Sequence, residues 1–344
     1  MGTSPSESSF GWGPLAAPLA LIYGAGTGLR GALYGGGWLP CGESGVPTIS
    51  VGGIEVGGSG KTPVAEWVLR TLMEAGRRPG LLTRGYGRST RGLVVRRRGE
   101  PALAEAIGDE PAMVVAEGLD VPVAAAARRL EGARALVGNE QCDTLVLDDG
   151  FAHRALKRDL DIVVLRGELP LGSGHLLPWG SLREPRSGLR RAGVLWFHHK
   201  GEGEARVPAW VQTEFPEMPV VVSRARPTAP RDLAGGLVPL QGERALVVTG
   251  IAHPEPFEAS VRRAGAEVMG RKFFRDHHAF DPADVEELLT LQRAEGASHV
   301  VVTPKDAIKL RRLWPDDSLT VLGTEVEVLE GEALLTQAIL GIMA

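Results

Sequence analysis

An α/β fold built on a doubly wound parallel sheet is the class this sequence predicts, and three observations predict it. "CDTLVLDDG" (Cys142 to Gly150) and "DLDIVVL" (Asp159 to Leu165) are near-continuous apolar runs, the pattern of strands buried on both faces of a parallel sheet. "VPTISVGG" (Val46 to Gly53) reads as a strand that passes through a glycine loop into the helical stretch "TPVAEWVLRTLMEAG", so strand and helix alternate along the chain. Near 200–245 the chain turns rich in Pro, Gly, Glu and Arg, and the alternation then resumes in "ALVVTGIAHPEPFEASVRRAG" and "HVVVTPKDAIKLRRL". That resumption predicts a second, smaller α/β domain beyond a linker.

The N-terminus comes first in the chain. From Ser8 to Leu29 there is no charged residue, and "LAAPLALIY" (Leu15 to Tyr23) is apolar, but Pro14, Pro18 and several glycines dilute it. A bilayer-spanning helix needs about 20 mostly apolar residues, and a secretory signal needs a positive start, which Met1 to Phe10 does not offer. The stretch reads either as an anchor lying in the membrane interface, with Trp12, Tyr23, Tyr34 and Trp38 as interfacial aromatics, or as a helix packed on its own domain.

The helix from Thr62 to Gly76 sets Val64, Trp67, Val68 and Leu72 on one stripe and stops at glycine. "GLLTRGYG" (Gly80 to Gly87) predicts a strand running into a loop, "GLVVRRR" a shorter strand and "ARRLEGARALV" a helix. Expected boundaries are 1–40 for the N-terminal segment, 41–205 for the first α/β domain and 206–344 for the second.

Composition narrows the function. With 43% apolar and 23% charged residues over 344 positions, the chain can bury a sizeable core and lies outside the disordered classes. A net charge of -4 argues against a nucleic-acid binder, which shows a basic balance or face. Cys41 and Cys142 make neither a disulfide framework nor a metal-ligand spacing, which implies a reducing compartment.

The chemistry concentrates in "EVGGSGKTP", Glu55 to Pro63. A phosphate loop follows G-x-x-x-x-G-K-[ST] between a strand and a helix, because successive backbone N–H groups must close around phosphate oxygens at a helix N-terminus. Gly60, Lys61 and Thr62 fit that pattern, Val56, Gly57, Gly58 and Ser59 form the loop, and Glu55 occupies the slot where the pattern has its first glycine. The fold expected is therefore P-loop NTPase-like. In this reading Lys61 neutralises β and γ phosphate oxygens and the Thr62 hydroxyl ligates Mg²⁺, while Asp148 or Asp149, ending a downstream apolar strand, completes the ion's shell directly or through water. No guanine-recognition motif is evident, so ATP is the expected nucleotide.

Further polar, glycine-bounded segments follow the loop in order: "LTRGYGR", "IGDEP", "DDGFAHRALKRDLDIV", "LLPWGSLREP", "FFRDHHAF" and "VTPKDAIKL". Together with "VGGSGKTP" they resemble the tetraacyldisaccharide 4'-kinase family, the lipid A 4'-kinases, from about Leu19 to Leu310. The resemblance implies ATP-dependent phosphorylation of the 4'-hydroxyl of a tetraacylated glucosamine disaccharide 1-phosphate, giving lipid IVA. It implies the cytoplasmic face of a Gram-negative inner membrane as the location and a membrane-associated N-terminal segment. The expected partners are the lipid disaccharide and the membrane surface, with no nucleic acid and no obligate protein partner.

The resemblance also implies roles. Asp109 and His277 match the family's catalytic pair. Either Asp109 accepts the hydroxyl proton with His277 orienting it, or the division is reversed. Falling in different expected domains, the two would meet only across a closed cleft. Asp109 equally suits the N-cap of the helix after it. Arg183 and Arg84 supply charge stabilisation, hold the 1-phosphate, or form structural salt bridges. Glu184 supports the metal site through water. Tyr86 contacts the sugar or shapes a turn, and His153 touches the metal shell or adenine pocket or is structural. Two departures stand out: Ala152 where members carry glutamine, and Pro304 where they carry glutamate. From the residues alone, a kinase of a soluble sugar-like acceptor and an NTP-driven switch protein remain open.

Overall fold

The computed structural model describes residues 13–116, 118–201, 203–251, 254–276 and 278–343. In chain order the first half forms α1 (Ala17–Gly35), β1 (Thr48–Gly52), α2 (Lys61–Glu74), β2 (Pro79–Thr83), β3 (Val94–Arg96), α3 (Ala104–Ile107), α4 (Asp109–Ala116), β4 (Val123–Ala125), α5 (Arg129–Gly138), β5 (Thr144–Asp148) and β6 (Leu160–Arg166). The second half adds β7 (Val194–His199), α6 (Ala209–Glu214), β8 (Val220–Pro227), β9 (Arg244–Thr249), α7 (Glu255–Arg263), β10 (Glu267–Phe273), α8 (Pro282–Glu295) and β11 (His299–Val302). It closes with α9 (Pro304–Leu310), β12 (Leu319–Val321), β13 (Thr324–Glu330) and α10 (Glu332–Gly341).

These elements separate into two units. The first comprises the chain up to Thr83, Arg128–Arg224 and the chain from Val328. Its strands run β8-β7-β6-β1-β5-β2, all parallel. The central strands are buried on both faces, from Ile49 and Val51 to Leu147 and Val163, which is why their sequences read as unbroken apolar runs. After β1 the chain moves toward β2, and after β6 it moves the other way toward β7. The crevice at the carboxyl ends of β1 and β6 is therefore a topological switch point, where open α/β sheets place their ligands. The glycine loop after β1 lies there.

The second unit comprises Arg84–Ala127 and Ala225–Glu327. Its parallel sheet runs β10-β9-β11-β12, and β3 and β4, also in this unit, pair antiparallel outside that sheet. Leu246, Val248, Val300 and Val302 form its core with Leu288 and Trp314.

The mixed α/β architecture with a large parallel sheet agrees with the sequence, but the boundaries differ from 41–205 and 206–344. Residues 84–127 leave the first unit after β2 and belong with the C-terminal half, because α4 packs on α9. The chain's end returns to the first unit, where the Arg77 guanidinium donates to the Met343 carbonyl at 3.3 Å. The expected linker contains β8, whose apolar start "VVV" outweighs its polar second half.

The N-terminal segment forms α1, and the alternative of a helix packed on its own domain describes one of its faces. One stripe packs on the first unit: Ala20 is buried, Tyr23 Oη donates to the Arg183 carbonyl at 3.1 Å, and Arg154 donates to the Gly31 carbonyl at 2.7 Å. The other flank leaves Leu21 75% and Ile22 69% exposed, with Leu29 and Trp38 also outward. Among the described residues no helix is long and apolar enough to cross a membrane. Of the four expected interfacial aromatics, Trp38 is exposed, Tyr23 and Tyr34 are half-buried against the protein, and Trp12 lies outside the described residues.

Candidate active site

The loop after β1 enters α2 through Gly60, whose φ of 89° is left-handed. A side chain there would be strained, and its Cβ would lie 2.3 Å from the His198 ring. Lys61 is the first residue of α2, so its amide belongs to the free N–H groups that give a helix start its positive end. Its Nζ donates to the Gly57 carbonyl at 3.1 Å and sits 3.8 Å from Asp149. Thr62 follows on the same turn, half-buried, with Ser59 buried inside the loop. Glu55 departs from the expected part of a loop contact. Its carboxylate is buried against Arg166, Nε to Oε2 3.0 Å, and its backbone bridges to Leu182. Burial raises the Glu55 pKa, with Arg166 and then Lys61 opposing.

Asp148 ends β5 and is buried. Asp149 follows with a left-handed φ of 48°, a conformation aspartate tolerates, and faces two cations. Arg183 grips it with two hydrogen bonds of 2.8 Å, and Arg183 Nε also donates to the Glu55 carbonyl at 3.0 Å. Burial alone would raise the Asp149 pKa. The Arg183 hydrogen bonds and the Lys61 and Arg183 charges outweigh it and hold the carboxylate below its ordinary range. Glu184 turns elsewhere and pairs with Arg191. His153 lies in the turn after β5, where its carbonyl accepts from Arg158, and Ala152 beside it is half-buried.

Two residues of this site were not foreseen, His198 near the end of β7 and Lys200 directly after it. Lys200 Nζ donates to the Gly58 carbonyl at 2.6 Å, placing a second ammonium at the loop. Lys200 keeps an exposed face. Even so, desolvation of its ammonium, opposed by Glu168 and reinforced by Arg166 and Lys61, holds it below the usual lysine range. His198 packs under Gly60. Ser223 Oγ accepts the Trp196 indole N–H at 2.6 Å and lies 2.9 Å from His198 Nδ1. An indole can only donate, so the serine hydroxyl proton stays available to Nδ1. The local signal was the run "VLWFHHK", apolar and then cationic, which is how a buried strand ending at a ligand site reads.

Burial, reinforced by the Lys200 charge, lowers the His198 pKa to about 4. In the unfolded chain the imidazole titrates near 6.5. Between those values only the unfolded state holds the proton, so stability is full above about 6.5 and drains away as pH falls toward 4. Across that window the loss from this group is on the order of 3 kcal/mol. Urea midpoints measured from pH 7 to 4 are expected to fall less steeply for His198→Gln than for the parent chain. Parallel slopes would contradict the buried neutral imidazole.

In the second unit, Gly108 adopts a φ of 100°, and a Cβ there would come within 2.8 Å of the Tyr86 carbonyl. That contact sets the loop carrying Arg84 and Tyr86, both with exposed side chains, against the start of α4. Asp109 is the first residue of α4, and its Oδ2 lies 3.1 Å from Lys309 Nζ, with the side chains 14% and 16% exposed. The same ammonium donates to the His278 carbonyl at 3.1 Å. His278 Nε2 sits 2.7 Å from Asp284, and its ring stacks on Phe274. His277 lies outside the described residues. Asp109 therefore shares its unit with the segments flanking His277, and the expectation that the two belong to different domains is corrected. Lys309 was not foreseen, since nothing local ties it to Asp109. Pro304 is N1 of α9 behind the Thr303 cap, a position that suits proline because its missing N–H would have no helical partner.

Among the described residues no group of three or more His, Cys, Asp or Glu side chains is placed to hold a metal. The hard oxygens near the loop are the Thr62 hydroxyl and the Asp148 and Asp149 carboxylates. Such a donor set suits Mg²⁺ carried largely by phosphate and water rather than by a protein cage.

A family model described as tetraacyldisaccharide-1-P 4'-kinase matches residues 12–344. A tetraacyldisaccharide 4'-kinase of Anaeromyxobacter dehalogenans (strain 2CP-C) is 41% identical over 95% of this chain and 92% of its own length. One from Chlorobium luteolum is 35% identical over 86% of each chain. Among solved structures, an LpxK from Aquifex aeolicus in complex with ATP superposes with a TM-score of 0.81 at 28% identity, covering 96% of this chain and 99% of the other.

Proposed function

The chain belongs to the tetraacyldisaccharide 4'-kinase family, and from that premise we propose how its residues divide the work. The reaction transfers the γ-phosphate of ATP to the 4'-hydroxyl of a tetraacylated disaccharide 1-phosphate, the lipid A 4'-kinase step. The observation that carries the assignment is Lys61 at the start of α2, behind left-handed Gly60 and 3.8 Å from an Asp149 that Arg183 clamps.

The amides from Gly57 to Thr62 cradle the β and γ phosphates in a P-loop. Lys61 and Lys200 exchange their loop carbonyls for phosphate oxygens. Thr62 and Asp148, with Asp149 through water, would hold Mg²⁺, which supplies charge neutralisation on the phosphates when bound. With Glu184 taken by Arg191 and Glu55 by Arg166, neither carboxylate faces the nucleotide in this reading. Arg183 orients Asp149 and adds positive charge where the transferring group spreads its own.

Asp109 is the base. It accepts the 4'-hydroxyl proton, the oxygen bonds to the γ-phosphorus, and the bond to the β-phosphate oxygen breaks with its electron pair leaving on ADP. His277 orients the aspartate, and Arg84 and Tyr86 contact the sugar.

Exposed Leu21, Ile22, Leu29 and Trp38 on α1 and beyond form the apolar flank of a helix that lies in the interface without crossing it, at the cytoplasmic face of the inner membrane where the lipid acceptor resides. Purified chain given ATP, Mg²⁺ and the disaccharide 1-phosphate in detergent micelles is expected to yield 4'-phosphorylated product and to stop on adding EDTA. ADP release at the same rate without acceptor would instead indicate a nucleotide-driven switch. A Leu21→Glu, Ile22→Glu double variant is expected to leave vesicles while keeping nucleotide affinity; unchanged vesicle binding would refute the interfacial helix.

A further inference from the structure

Arg30 on α1 and Arg154 packed against it pair with no carboxylate among the described residues. Arg154 Nη1 donates to the Gly31 carbonyl at 2.7 Å, and its guanidinium carbon lies 5.4 Å from the Tyr34 ring centroid; the guanidinium carbon of Arg30 lies 5.4 Å from the same centroid. The neighbouring basic groups are already balanced, Arg158 by Asp161 at 3.0 Å and Arg191 by Glu184. Among the described residues, no carboxylate stands within ion-pair distance of Arg30 or Arg154. Burial, then the Arg191 and Arg158 charges, lowers the Arg154 pKa, with Glu184 opposing and Arg30 adding to the decrease. Two like charges drawn to one aromatic ring, one of them half-buried, constitute a local excess of positive field that an anion would relieve.

Their position along α1 says which anion. Tyr23 donates to the backbone carbonyl of Arg183, whose guanidinium grips Asp149, so Tyr23 sets its turn of α1 against the arginine that clamps Asp149. Arg30 is seven residues further on, which returns it to the same face of the helix about 10 Å along the axis. That is the span of two linked pyranose rings, and the acceptor is a disaccharide phosphorylated on one ring and receiving phosphate on the other. We propose that Arg30 and Arg154 form the subsite for the acceptor's 1-phosphate, gripping it from two sides while the distal ring presents its 4'-hydroxyl for transfer. Guanidinium forks suit this task, since each makes paired hydrogen bonds to phosphate oxygens.

The inference rests on the kinase reading, and its test uses two acceptors in neutral detergent micelles: the tetraacyl disaccharide 1-phosphate and its 1-dephospho analogue. Among the described residues Arg30 makes no hydrogen bond, so Arg30→Gln is the cleaner variant, and Arg154→Lys keeps a donor for Gly31. Each is expected to raise KM for the phosphorylated acceptor about 10-fold or more at nearly constant kcat, and to erase the parent chain's preference for it over the analogue. An equal loss with both acceptors would assign the arginines to holding α1 in place, overturning the subsite. Unchanged kinetics, with weaker binding only to vesicles containing anionic lipid, would assign them to a membrane headgroup and overturn it too. A parent chain that phosphorylates neither acceptor would sink the kinase reading itself.

Discussion

Lys61→Ala is expected to lower kcat by about 10²–10³-fold, the scale of removing one preorganised group that meets charge developing in a transition state, and to weaken binding of a non-hydrolysable ATP analogue. The Lys61 side chain is 12% exposed. Among the described residues it is held by the Gly57 carbonyl and, at 3.8 Å, by Asp149. Neither partner needs it: a carbonyl in an open loop can take water, and Asp149 keeps its bidentate Arg183. The variant should therefore fold as the parent does, with an unfolding midpoint shifted by no more than about 1 kcal/mol in free energy. Titration calorimetry with the analogue, alongside steady-state transfer, separates the two effects. Full transfer and unchanged nucleotide affinity would remove the central support for the phosphate loop.

The parts of this site that the sequence displays are those whose chemistry is local. A glycine loop between a strand and a helix can be read because Gly60, Lys61 and Thr62 are contiguous and the left-handed turn needs a glycine where one stands. Asp148 and Asp149 could be read because an apolar run ends in them. Glu55 looked like a flaw in the motif. Its side chain is turned into an ion pair with Arg166, a residue far along the chain, so the slot it fills makes no demand for glycine. Arg183, Asp109 and Tyr86 were reached through resemblance alone, since a short segment such as "LREP" does not announce that its arginine will grip an aspartate.

What stayed hidden is non-local. Lys200 and His198 meet the loop through β7, two strands from β1 in the sheet, and Lys309 meets Asp109 through helix packing. The excursion of residues 84–127 into the second unit was invisible for the same reason. Its short elements alternate as those of the first unit do, and only long-range packing assigns them. The linker expected near 200–245 failed on composition. Averaging over Pro, Gly and Arg masked the apolar triplet that starts β8, where Val221 and Val222 are buried and Val220 is partly so.

Asp109→Asn is expected to reduce kcat by about 10²–10⁴-fold, the range for a positioned acid–base group, with little change in the KM for ATP. The amide keeps the shape and the place at the head of α4 but cannot take a proton. Left-handed Gly108 before it fixes where the side chain emerges. Lys309 fixes it further: a nearly buried ammonium 3.1 Å from the carboxylate and 3.1 Å from the His278 carbonyl ties α4 to the segment beside His277. If that tie positions the base, Lys309→Met lowers kcat when Asp109 is present and costs nothing more once Asp109 is asparagine, because residues acting as one unit are not additive. Lys309→Arg restores part of the rate by keeping a cation within reach. Equal fractional losses in both backgrounds would make Lys309 a plain stabiliser of the fold, and an Asp109→Asn enzyme with the parent's kcat would move the base elsewhere.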